Sequence, residues 1–106
     1  MAEWVEAGTT EELTPGSYAS VDVDDVQIAV FNCDGNLYAI EDVCTHDYGQ
    51  LTGGDMEGCQ VVCPRHGAKF DIKSGEALTA PAYEPVDTFP VKVEDGKVYV
   101  QDDRWD

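Results

Sequence analysis

The sequence predicts an all-β fold, and three observations carry that expectation. Short apolar runs rich in strand formers recur along the chain. Asp34-Gly35 and Asp95-Gly96 each stand between two such runs, and Asp-Gly is a strong hairpin signal because the turn needs positive φ. No segment sustains a helical period for more than one turn. The length of 106 residues suits one domain, and a chain this size buries only about two-thirds of its unfolded surface. Its modest core can lean on a bound group for stability.

Taken in order, Thr9–Leu13 reads as one helical turn. Thr9 or Thr10 serves as its cap, Glu12 lies in its first turn, and Pro15-Gly16 ends it. Tyr18–Val23 alternates as a strand, Asp24-Asp25 forms a tight turn, and Val26–Phe31 returns. After Asp34-Gly35 comes Leu37–Ile40. Gln60–Val62 is a short strand, and Phe89–Val93 pairs with Val98–Val100 across Asp95-Gly96. Between Glu41 and Asp87 the pattern changes. Six glycines (49, 53, 54, 58, 67 and 75), three of the four cysteines and both histidines lie there. This reads as a loop-rich insertion held on a β scaffold, the arrangement in which loops carry function. Asp102–Asp106 reads as a loose acidic tail in which Trp105 alone has reason to pack.

Charge and composition exclude several function classes. Twenty-two acidic residues face six basic ones, a formal charge of −16. Nucleic-acid binding needs clustered Lys and Arg, and docking on anionic lipid needs the same. Two readings of the acid remain: steering toward a basic protein partner, or a solubilised surface suited to a salty cytoplasm. No apolar run reaches the ~18 residues of a membrane span. Met1-Ala2-Glu3-Trp4 lacks the basic and apolar regions of a signal peptide, so a cytoplasmic protein is expected. No carboxylate pair is placed for acid–base work, no nucleophile has a His to activate it, and no Gly-rich phosphate loop exists. An enzyme in its own right is not expected. Glu11-Glu12, Asp24-Asp25 and Asp102-Asp103 read as solvated charge pairs.

Each of the two histidines sits beside a cysteine, in Cys44-Thr45-His46 and Cys63-Pro64-Arg65-His66, with sixteen residues between His46 and Cys63. Two short loops that each bring one thiolate and one imidazole together suit a buried metal. Pro64 stiffens the second loop. Zinc is one occupant of such a set, since two Cys and two His make a tetrahedral site. Against zinc, His66 is followed by Gly-Ala-Lys-Phe-Asp rather than a helix, and the Cys-x-His pair is atypical of fingers. Cys33 and Cys59 lack a His partner and read as small buried hydrophobes. A disulfide between them would need an oxidising compartment. Tyr48 and Phe70 read as shields of the site. Arg65 reads as a partner of Asp47, or as a contact for a docking carboxylate.

Cys44-x-His46, sixteen residues, then Cys63-x-x-His66 resembles the Rieske iron–sulfur motif. The resemblance runs on through Gly67, Phe70-Asp71, Ser74-Gly75 and Pro81, and covers the chain from Trp4 to Val100. It implies an antiparallel β sandwich of about three small sheets, with a cluster-binding loop subdomain at about residues 42–84. It also implies one [2Fe-2S] cluster, with Cys44 and Cys63 on one iron and His46 and His66 on the other. The respiratory members carry an extra cysteine in each loop, where this chain has Gly49 and Arg65, so that bridge cannot form. They also donate hydroxyls from a Ser and a Tyr, where this chain has Ala68 and Phe70. Losing those donors disfavours the reduced cluster, so a low potential is expected, about −150 mV. The chain looks like the soluble Rieske-type ferredoxin of bacterial aromatic-ring dioxygenase systems. That resemblance implies a monomer that takes electrons from a flavin reductase and passes them to a terminal oxygenase. Nitrite reductase small subunits, diiron monooxygenase components and cluster-assembly proteins are the alternative settings.

Overall fold

The computed structural model describes residues 3–44, 49–64, 67–80 and 84–104. The described residues include ten strands: β1 (Val5–Thr9), β2 (Tyr18–Val23), β3 (Val26–Cys33), β4 (Asn36–Glu41), β5 (Met56–Glu57), β6 (Gln60–Val62), β7 (Lys69–Asp71), β8 (Thr88–Phe89), β9 (Val91–Glu94) and β10 (Lys97–Val100). They form three antiparallel sheets. The terminal sheet has the order β1-β10-β9, the central sheet β2-β3-β4-β8, and the small sheet β5-β6-β7.

Three hairpins close on two-residue turns with both turn residues at positive φ: Asp24-Asp25 (50° and 68°), Asp34-Gly35 (54° and 91°) and Asp95-Gly96 (51° and 74°). The flanking pairs Val23↔Val26, Cys33↔Asn36 and Glu94↔Lys97 are in register. Asp tolerates the left-handed region because its short side chain bonds locally. In the first turn Asp22 Oδ1 accepts the Asp25 N–H at 3.0 Å. The expected turn at Thr9–Leu13 is present as a single reciprocally capped turn. Leu13 N–H donates to Thr9 O at 3.0 Å, Glu12 N–H to Thr9 Oγ1 at 3.2 Å, and Thr9 N–H to Glu12 Oε1 at 3.1 Å.

β3 explains the layering. Its side chains alternate, and both sets are buried. Ile28 and Val30 join Val98, Val100, Phe89, Leu13 and Ala39 in one core, between the central and terminal sheets. Ala29 and Phe31 join Ile40, Leu51, Val61, Phe70 and Ile72 in a second core, under the small sheet and its loops. The central sheet is thus a middle layer, which is why β3 reads as a continuous apolar run.

Some expectations are corrected. Val5–Thr9, for which the sequence reading has no element, is a strand, paired with β10 through a register shift between Glu6 and Gly8. Phe89–Val93 is not one strand. Pro90 offers no N–H, so β8 ends on the central sheet and β9 resumes in the terminal one. The end of the chain is not loose through Arg104: Asp102 is buried, and both its carboxyl oxygens take Arg104 N–H groups at 2.9 Å. Trp105 lies outside the described residues. Cys33 and Cys59, expected as separate thiols, are joined in a disulfide with their Cα atoms 5.5 Å apart. A contact between a strand end and a turn 26 residues away has no local signature.

Candidate metal centre

The two expected cysteine ligands leave the ends of two strands and meet in one buried cluster. Cys44 follows β4 and Cys63 follows β6; they are 0% and 1% exposed and share a core with Leu51, Val61, Ala68 and Phe70. His46 and His66 lie outside the described residues, as do Tyr48, Arg65, Asp47 and Pro81.

Each cysteine stands at the root of a loop closed in the same way. Cys44 N–H donates to Gly49 O at 2.7 Å, and Cys63 N–H donates to Ala68 O at 2.7 Å. In both cases the bond spans from residue i to i+5, and in both the expected histidine lies inside the span. The second loop has a further tie from Gly67 N–H to Cys63 O at 3.0 Å, with Gly67 at φ 76°. Backbone bonds thus fix the entry and exit of each loop before any metal is considered.

Asp42 anchors the first loop, and motif reasoning missed it. Its side chain is buried and accepts from five donors. Oδ1 takes Leu51 N–H at 2.8 Å and Thr52 N–H at 2.9 Å; Oδ2 takes the Thr52 hydroxyl at 2.7 Å, the Ser20 hydroxyl at 3.1 Å and Gln50 Nε2 at 3.5 Å. The carboxyl therefore ties the loop exit to its entry and both to β2. Position was the available signal: an acid two residues before a candidate ligand, at the close of a strand.

The second loop runs into β7, where the Phe70-Asp71 and Ser74-Gly75 pairs show their use. Asp71 Oδ2 accepts the Ser74 hydroxyl at 2.9 Å, and Gly75 N–H donates to Asp71 O at 2.7 Å. Gly75 then meets the chain that leads into β8: Val86 N–H donates to Gly75 O at 2.8 Å. A Cβ on Gly75 would lie 2.2 Å from Val86 O, so only glycine permits this approach. Ala68 and Phe70 are fully buried in the cysteine-bearing core. Neither side chain offers a hydrogen-bond donor.

A model of the Rieske [2Fe-2S] domain matches residues 3–90. The chain belongs to the Rieske [2Fe-2S] family. Among similar proteins, the ferredoxin component of the naphthalene 1,2-dioxygenase system of Pseudomonas putida is 33% identical, over 92% of this chain and 94% of the relative. A solved ferredoxin of Sphingomonas yanoikuyae B1 superposes with a TM-score of 0.86 at 32% identity, covering 94% of this chain and 99% of that one. A chain in the complex of reduced oxygenase and oxidized ferredoxin of carbazole 1,9a-dioxygenase superposes with a TM-score of 0.87, also at 32% identity, with 92% of both chains covered. This Rieske domain therefore calls for a [2Fe-2S] cluster rather than zinc. The residues present fit it: two buried cysteines outside any disulfide, in one core, on two loops with matching roots.

Proposed function

We propose that this chain is a one-electron carrier, taking electrons from a flavin reductase and giving them to a terminal aromatic-ring oxygenase. The observation that carries the reading is the pair Cys44 and Cys63, buried together on loops of matching closure in a chain of this family. Cys44 and Cys63 would hold one iron of the cluster, and His46 and His66 the other. When bound, the cluster supplies a site that gains and loses one electron without making or breaking a bond. The chain is a carrier, not an enzyme, and it acts as one domain over residues 1–106. Its cluster-binding loops fall at about 42–84, and it works as a cytoplasmic monomer. Among the described residues no helix is long and apolar enough to cross a membrane, and a cytoplasmic setting would keep the Cys33–Cys59 pair largely reduced.

The chain's own residues do three things. Asp42 and the two i to i+5 bonds hold the loops in place, so little reorganisation accompanies each transfer. Leu51, Val61 and Phe70 keep the cysteine side dry. Ala68 and Phe70 withhold the hydroxyl donors that raise the potential in other members, which supports a midpoint at the low end of the Rieske range, about −150 mV.

Stopped-flow mixing tests the reading. The oxidised protein should bleach with NADH and a dioxygenase-system reductase, then regain its visible spectrum on mixing with the cognate oxygenase. A protein that is reduced but is reoxidised by no terminal oxygenase belongs to another redox system.

A further inference from the structure

The strands that lead to the two cysteine loops are joined at their opposite ends. β4 begins beside Cys33, whose register partner is Asn36, and runs on to Cys44. β6 begins just after Cys59 and runs on to Cys63. The Cys33–Cys59 disulfide thus links the β3–β4 turn of the central sheet to the β5–β6 turn of the small sheet. Other ties between these parts are non-covalent, among them packing of Phe31 and Ile40 against the small-sheet core and the Lys73 ammonium 5.9 Å from the centre of the Tyr38 ring. Cys59 is fastened to its own sheet as well, since its carbonyl accepts the Ile72 N–H at 2.9 Å.

We propose that Cys33 and Cys59 form a reversible thiol–disulfide site, a clamp that low-molecular-weight disulfides close and thiols open. Two features argue for this chemistry, and a third sets its rate. The Cα separation of 5.5 Å lies inside the range that a bridge spans without backbone movement, so both redox states fit one backbone. The two sulfurs differ in access. Cys33 is buried at 3% exposure, while Cys59 is part-exposed on a turn, which makes Cys59 the entry point and Cys33 the resolving thiol. In closing, the Cys59 thiolate attacks the small disulfide RSSR, forms a mixed disulfide and expels RS⁻. The Cys33 thiolate then attacks the Cys59 sulfur and expels the second RS⁻. In total two protein thiols and one RSSR give one protein disulfide and two RSH, and the protein loses two electrons and two protons. The third feature is Asp34, whose Oδ2 lies 4.0 Å from the Cys59 sulfur. A carboxylate there repels an incoming thiolate and so slows exchange. The clamp rests on this geometry alone and is independent of what the Cys44 and Cys63 loops hold.

The cluster-loaded protein is treated anaerobically with dithiothreitol, desalted, and exposed to hydroxyethyl disulfide, an uncharged probe that the acidic surface does not repel. Alkylation under denaturing conditions, read by mass, should fall from four thiols to two, with a peptide joining Cys33 to Cys59, and dithiothreitol should restore four. Closing a loop of this length should raise the unfolding midpoint by about 10 °C, with the visible spectrum unchanged. Asp34→Asn suits the left-handed turn position and should speed closure several-fold. The proposal is overturned if Cys33 and Cys59 stay alkylatable, if closure leaves the midpoint where it was, or if dithiothreitol cannot reopen the bridge.

Discussion

Asp42 illustrates how a single side chain can organise a metal loop without touching the metal. Its two oxygens serve five donors, among them the backbone N–H groups of Leu51 and Thr52. Truncation would leave those groups buried without an acceptor, the costly side of the hydrogen-bond asymmetry. Asp42→Ala should therefore cost about 3 kcal/mol, read as a fall of about 2 M in the urea midpoint; an unchanged midpoint would show that the loop is held by other contacts. At this scale the sequence was unevenly legible. Cys44 and Cys63 stood out because Cys and His are rare here and paired at ligand spacings. Asp42 did not, being one of 22 acids whose burial depends on Ser20 and Thr52 arriving from elsewhere in the chain. The Cys33–Cys59 bridge was misread for the same reason: nothing near either residue announces the other.

The hairpins carry the fold at the scale of elements, and they were the most legible part. Asp34-Gly35 and Asp95-Gly96 specify their turns locally, and Asp24-Asp25 does the same without glycine because both residues accept positive φ. β5 and β7 were hidden: two and three residues are too few to show a period of two amid dense glycine. Arg104 was also hidden, in a stretch that looks like tail. Its guanidinium forks onto Asp102, reaches Asp87 Oδ2 at 2.7 Å, and has its centre 5.0 Å from the centre of the Phe89 ring. It thereby pins the Asp102–Arg104 segment to the start of β8. The hydrogen bonds from Arg104 hold the Asp102 carboxyl below its ordinary value of 3.8, against the opposing effect of burial. A carboxyl lowered in the folded state adds stability above its unfolded pKa and loses it as pH falls through the folded value. Arg104→Gln should lower the urea midpoint at pH 6, and the gap from the parent should narrow as pH drops below about 3.8. A gap that stays constant down to pH 2 would contradict the pairing.

For the whole molecule, three layers place the cysteine loops at one side of a doubly buried central sheet, and a formal charge of −16 surrounds them. If that charge steers a basic partner, association with the reductase should slow several-fold between 0.1 M and 1 M salt, as the Debye length shrinks from ~10 Å to ~3 Å. A flat dependence in stopped-flow rates would assign the acid to solubility alone. The layer order was not legible from local pattern, because it depends on β8 and β9 parting at Pro90 and on β1 joining β10. The Rieske resemblance supplied the three-sheet plan that strand-by-strand reading left open. The claim on which the functional account depends is the mixed Cys/His cluster. EPR of the dithionite-reduced protein, with iron and zinc quantified on the same sample, tests it most directly. A Rieske cluster gives two iron atoms per chain and a rhombic signal with the low average g of His/Cys ligation; a silent spectrum with zinc in place of iron would overturn it.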